Sequence, residues 1–141
     1  MMTHIEVFWQ GNKIAFPNRD YDEVSKSEAQ TATNLEKLSL YTRHHNGHIR
    51  EIAISTLMQK FPKESIPFIV QLLGEFVVEI HLRIIKEITS DQRNWLQEFL
   101  KENPRFAQTI QSRIASYWDC YYRNQYLKLK DYPAYRLLTN D

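Results

Sequence analysis

Three of the five histidines in this 141-residue chain lie in one string, His44-His45-Asn46-Gly47-His48, and any side-chain chemistry would be sought there first. His48 and Glu51 are three residues apart, a spacing that puts two side chains on one helix face as metal ligands require. The Asn46-Gly47 pair between His44 and His48 is a turn signal, however, and favours a polar loop leading into a helix over an aligned ligand pair. His81, between Ile80 and Leu82, has the setting of a satisfied, partly buried imidazole rather than of a free acid–base group. Cys120, the single cysteine, stands among aromatics as a small buried hydrophobe, and no Cys-His-Asn spacing promotes it to nucleophile. The three glycines, at 11, 47 and 74, cannot form a phosphate-cradling loop. No catalytic residue, metal ligand or cofactor is expected.

Binding chemistry is better represented at the C-terminal end. Tyr117, Trp118, Tyr121, Tyr122, Tyr126, Tyr132 and Tyr135 are interleaved there with Arg123, Lys128 and Lys130. One stripe, Phe106, Ile110, Ile114, Trp118 and Tyr121, has core spacing. That leaves Tyr122, Arg123 and Tyr126 on the neighbouring arc as candidate anchors, since Tyr, Trp and Arg dominate interface hot spots. The same residue types stack on bases and neutralise phosphates, so nucleic acid is a second candidate partner. A separate acidic group, Asp20, Asp22 and Glu23, could steer a basic partner. Residues 101–141 hold seven basic against four acidic residues, and residues 1–40 four against six.

The elements that must position these groups centre on Asn46 to Leu100. Ile49, Ile52, Ala53, Leu57 and Phe61 mark one helix, ended by Pro62. Ser65 and Pro67 open a second, carrying Ile66, Phe68, Ile69, Val70, Leu72 and Leu73 up to Gly74. About twenty-eight residues later Val77, Glu79, Ile80, Leu82 and Ile85 answer Ile49, Glu51, Ile52, Ile54 and Leu57. Trp95, Leu96, Phe99 and Leu100 then answer Phe68, Ile69, Leu72 and Leu73, with Ser90 and Asp91 supplying a cap. Before this region, Ile5, Val7 and Trp9 alternate with Glu6, Phe8 and Gln10 and predict a hairpin returning through Lys13–Phe16. A helix from about Glu23 to Arg43 follows, with Val24, Leu35, Leu38 and Tyr41 inward.

The Ile49-Arg50-x-x-Ala53-Ile54-x-x-Leu57 run resembles the first helix of a HEAT-like repeat, and Phe68–Leu73 the second. The unit is shorter than that family's usual period, and the second copy has Val78 and His81 where the first has Arg50 and Ala53. The resemblance implies a stack of antiparallel helices with one open face that binds something. Some HEAT-like enzymes hold a di-iron centre with His-Glu pairs, but none of the five histidines here precedes a glutamate. Such scaffolds serve many functions.

Length predicts one domain: residues 1–19 a hairpin or extended appendage, 22–130 a helical stack, 131–141 a C-terminal tail. A net charge of +1 provides no global field for nucleic acid. Met1 to Gln10 lacks the layout of a signal peptide, and the uncharged run Ser65–Gly74 is too short to span a bilayer, so a cytoplasmic protein without membrane contact is expected. The reading is an all-α, HEAT-like single domain with a small β-hairpin, binding another protein without catalysis. Its most concrete form resembles an immunity protein covering the active face of a bacterial toxin, a nuclease for example. The alternative is a nucleic-acid-binding HEAT-like repeat protein.

Overall fold

The computed structural model describes residues 4–140, and it is mostly helical with one small hairpin at its N-terminal end. Residues 1–3 and 141, the extreme ends of the expected appendage and tail, lie outside the described residues. Strands β1 (His4–Trp9) and β2 (Asn12–Pro17) pair antiparallel with Val7 opposite Ile14 and Ile5 opposite Phe16. Gln10 at φ 55° and Gly11 at φ 80° form the two-residue turn, the left-handed pair whose twist matches that of paired strands. One face of the hairpin enters the core: Trp9 meets Phe99 edge-on at 5.8 Å and gives its indole N–H to the Lys63 carbonyl, while Phe16 packs on Phe68 at 5.0 Å.

The expected helix from Glu23 to Arg43 is two short helices, α1 (Lys26–Thr31) and α2 (Leu35–Tyr41). Ser25 and Asn34 each cap one of them by accepting an amide hydrogen three residues on, and Ala32 between them is extended. Polar side chains that bond their own backbone thus divide a stretch with too few apolar residues to hold one helix.

Helices α3 (Gly47–Lys60), α4 (Ile66–Leu73), α5 (Val78–Glu87) and α6 (Ser90–Glu102) follow, then α7 (Pro104–Tyr117) and α8 (Pro133–Thr139). All eight residues of α4 are buried, and the helix touches α3, α5, α6, α7 and α8. Gly74 ends it where a Cβ would stand 2.7 Å from Ile110 Cδ1, so any larger residue there would force the Ile110 side chain of α7 to shift. The cap of α6 is Thr89, one residue before the expected Ser90 and Asp91, in a reciprocal box with Gln92. The Gln92 amide also donates to the Met58 carbonyl and so ties α6 to the end of α3.

Two register expectations fail. Leu82, the expected counterpart of Ile54, is 47% exposed. Buried His81 and Ile84, with half-buried Val77 and Ile88, centre the inward stripe of α5, and Leu82 lies about a third of a turn from that centre. Tyr121, expected in the core, is 64% exposed because α7 widens into a π-helical turn over Trp118–Tyr122. The extra residue in that turn hands the inward position to Tyr122. The C-terminal stretch is more than a tail: Tyr132, Ala134, Leu137 and Leu138 are buried, with α8 packed on α4, α5 and α7. Seven residues were too few for a helical period to stand out.

Candidate partner-binding surface

The widened end of α7 positions a ring cluster around Phe76, which follows α4 in the connection to α5. Phe76 is 46% exposed and meets Tyr117 and Tyr121 edge-on at 5.8 and 5.0 Å. Tyr122 lies behind it, 5.6 Å away, donates its hydroxyl to the Phe76 carbonyl at 2.8 Å and stacks on Tyr132 at 5.4 Å. Burial pushes the Tyr122 phenol above its ordinary pKa and the Tyr132 phenol further still. Tyr126 packs against Tyr132, and its carbonyl accepts the Trp118 indole N–H at 2.6 Å. Arg123 is exposed, 5.1 Å over the Trp118 ring and 2.9 Å from Asp119.

Of the expected anchors, Tyr122 and Tyr126 are half-buried supports and Arg123 faces solvent. The rings that reach outward are Phe76 and Tyr121, with Leu127 at 80% exposure further along the chain. Phase alone could not reveal this, because the π turn reverses Tyr121 and Tyr122, and Phe76 lies in the connection between α4 and α5, where helical phase carries no information.

The acidic group is divided. Asp22 and Glu23 are exposed, but Asp20 is 8% exposed, and its backbone exchanges hydrogen bonds with Arg43 and His45 at 2.8 Å each. The histidine string is structural. His44 is buried, its Nδ1 accepts the Asn46 amide hydrogen at 3.0 Å, and its Nε2–H donates to the Asp22 carbonyl at 2.6 Å. His45 stacks between His44 and Tyr21. Asn46 caps α3, while Glu51 pairs with Arg83 on α5 rather than with exposed His48. Among the described residues no three His, Cys, Asp or Glu converge as a metal site requires. Cys120, expected in the core, is exposed on the π turn.

Beneath Phe76 lies a charged centre that the sequence reading missed. The Glu75 carboxylate, 8% exposed, receives Arg43 and the Gln71 amide on one oxygen, and its other oxygen stands 3.5 Å from both Arg19 and Arg50. Burial alone would raise this carboxyl; Arg43, Arg19 and the hydrogen bonds from Arg43 and Gln71 outweigh it and hold Glu75 below the usual range. Arg43 is fully buried and also donates to the carbonyls of Pro17, Asn18 and Thr42, while Arg50 donates to those of His44 and His45. The guanidiniums therefore tie together two irregular linkers and satisfy the buried Thr42 and His44 carbonyls. Next to this centre His81, fully buried, donates Nε2–H to the Leu72 carbonyl at 2.8 Å, and burial lowers its pKa to about 4.

Comparison with protein-family models, curated proteins and solved structures gives no match. Among the described residues no helix is long and apolar enough to cross a membrane.

Proposed function

We propose that this chain is a non-enzymatic protein-binding module, a HEAT-like stack that grips its partner through the rings around Phe76 and Tyr121. Support for the stack comes from α3 packing on α5 and α4 on α6, as successive helix pairs do when they lie side by side. The observation that carries the binding reading is the pair of outward rings, 46% and 64% exposed, which meet each other edge-on, with Phe76 backed by half-buried Tyr122 and, behind that, buried Tyr132. Rings held in place lose little freedom on association, and a guanidinium nearby adds the third residue type of interface hot spots. The concrete form is neutralisation of a bacterial toxin domain in the cytoplasm, with Asp22 and Glu23 steering a basic face.

The test is capture of the partner from the native cell, followed by both rate constants for Phe76→Ala, Tyr121→Ala, Tyr122→Ala, Tyr126→Ala and Asp22→Asn. Loss of either outward ring should speed dissociation at a cost of about 2 kcal/mol or more. Asp22→Asn should slow association and flatten its salt dependence. Parental rates for both Phe76→Ala and Tyr121→Ala, with the fold intact, would place the interface elsewhere.

A further inference from the structure

The two edges of the hairpin are treated differently. With a two-residue turn, Trp9–Asn12, Val7–Ile14 and Ile5–Phe16 are the hydrogen-bonded pairs, so Glu6 and Phe8 on one strand and Lys13 and Ala15 on the other turn their N–H and C=O groups outward. The β1 edge is closed toward the turn, with Glu6 left open beyond it: Asn103 accepts the Phe8 N–H at 2.7 Å and donates to its C=O at 2.6 Å, and Glu102 takes the Gln10 and Gly11 amides. At the far end of β2, Arg43 occupies the Pro17 carbonyl. The outward groups of Lys13 and Ala15 have no hydrogen-bond partner among the described residues. A bare strand edge is a template for another strand, which is why folded proteins usually cover it.

Beside that edge runs a groove of about 520 Å³, bounded by β2 and α2 and floored by Ile14, Phe16, Leu35, Leu40 and Phe68. Its volume falls among those of ligand-binding clefts, and its lining is largely apolar. Four charged residues stand near it. Lys13 pairs with Glu6 and Lys63 sits over the Trp95 ring, whereas Glu36 and Glu64 make no ion pair among the described residues. Glu36 and Glu64 are thus the carboxylates at its rim that have no cationic partner among the described residues.

We propose that the outer edge of β2 receives an extended segment of another protein as a third strand, with alternate apolar side chains in the groove and a basic side chain against Glu36 or Glu64. Strand addition draws its affinity from main-chain hydrogen bonds and its specificity from pockets for every second side chain, and both halves are present here. This goes beyond the ring surface, which uses other residues. Tyr121→Ala reads that surface and leaves the groove untouched, so the two readings fail separately.

The experiment selects short random peptides displayed on phage against the full chain, then titrates the synthesised winners while following amide hydrogen exchange by NMR. The expected winners alternate apolar and polar residues around a lysine or arginine and protect the Lys13 and Ala15 amides when bound. Ala15→Pro removes an N–H that no bond in the fold uses, and proline is tolerated on strand edges, so melting should be unchanged. Binding should weaken roughly tenfold in that variant, and similarly when the peptide's own pairing amides are N-methylated. Charge reversal at Glu36 and Glu64 should weaken the basic peptides. An empty selection, winners that shift Phe76 and Tyr121 instead, or binding indifferent to N-methylation would overturn the proposal. So would self-association of the free chain that protects the same two amides, since a second copy would then be the occupant.

Discussion

Glu75 and Phe76 are adjacent in the chain and occupy opposite environments: the carboxylate is buried among three guanidiniums, and the ring is nearly half exposed among other rings. The usual distribution would place them the other way round. Burying Glu75 is tolerable because its partners already have buried work to do, since Arg43 and Arg50 hold the buried carbonyls of Thr42 and His44. The carboxylate neutralises part of a positive charge the fold needs anyway. The Phe76 ring holds no buried polar group: one side packs on Tyr122, whose hydroxyl is taken by the Phe76 backbone carbonyl, and the other is open. The contrast separates a polar group retained for architecture from an apolar group available for contact.

The largest effect should come from breaking the buried side. Glu75→Gln keeps the shape but leaves Arg43, Arg19 and Arg50 facing one another without a counter-charge, and should destabilise by about 3–5 kcal/mol in chemical denaturation. A loss below about 1 kcal/mol would mean that water reaches the guanidiniums and that the centre is not the anchor described. Next in size is the helix core. Leu57→Ala, at a fully buried position, should cost about 2–5 kcal/mol, and Leu82→Ala, at 47% exposure, within about 0.5 kcal/mol. Equal losses would restore Leu82 to the inward stripe and undo the register found for α5.

Legibility in the sequence follows the same division. Local devices were readable: the alternation of Ile5, Val7 and Trp9 with a break at Gln10-Gly11 marks the hairpin, and Ser65, Pro67 and Gly74 bracket α4. Apolar periodicity located α3, α5, α6 and α7 because each carries a stripe longer than two turns. Long-range polar contacts were not readable. Glu75 lies far along the chain from Arg43 and Arg50, and each alone reads as surface. The π turn was hidden for another reason, since an apolar stripe fixes phase only while 3.6 residues per turn holds, and one extra residue exchanges Tyr121 with Tyr122. Of the candidate site, the right segment was visible and its outward residues were not.

Acid sharpens the comparison further, since it acts on the buried side alone. His81 is neutral when folded, with a pKa lowered to about 4 by burial, against 6.5 when exposed. Between those values the unfolded chain binds a proton that the folded chain excludes, so stability rises with pH through the window and falls as pH drops, by about 3 kcal/mol in all. The Glu75 carboxyl, depressed in the folded state, adds a further loss as pH falls through its folded pKa. Denaturation midpoints from pH 7 to 4 should therefore fall steeply in the parent and less in His81→Gln. Identical slopes would show that His81 can take up a proton without leaving its site.

The smallest effect tests the exposed side and decides whether Phe76 and its neighbours are free of structural duty. Tyr121 touches only other rings at the surface, so Tyr121→Ala should change stability by within about 0.5 kcal/mol. Tyr122 donates to the Phe76 carbonyl and stacks on buried Tyr132, so Tyr122→Ala should be clearly destabilising, by about 2 kcal/mol or more. Tyr122→Phe removes only the hydroxyl and should cost about 1 kcal/mol, the net value of one hydrogen bond. Chemical denaturation of the three variants side by side checks the order. If Tyr121→Ala proves as costly as Tyr122→Ala, the outward rings are part of the architecture after all, and Phe76 belongs with Glu75 rather than opposite it.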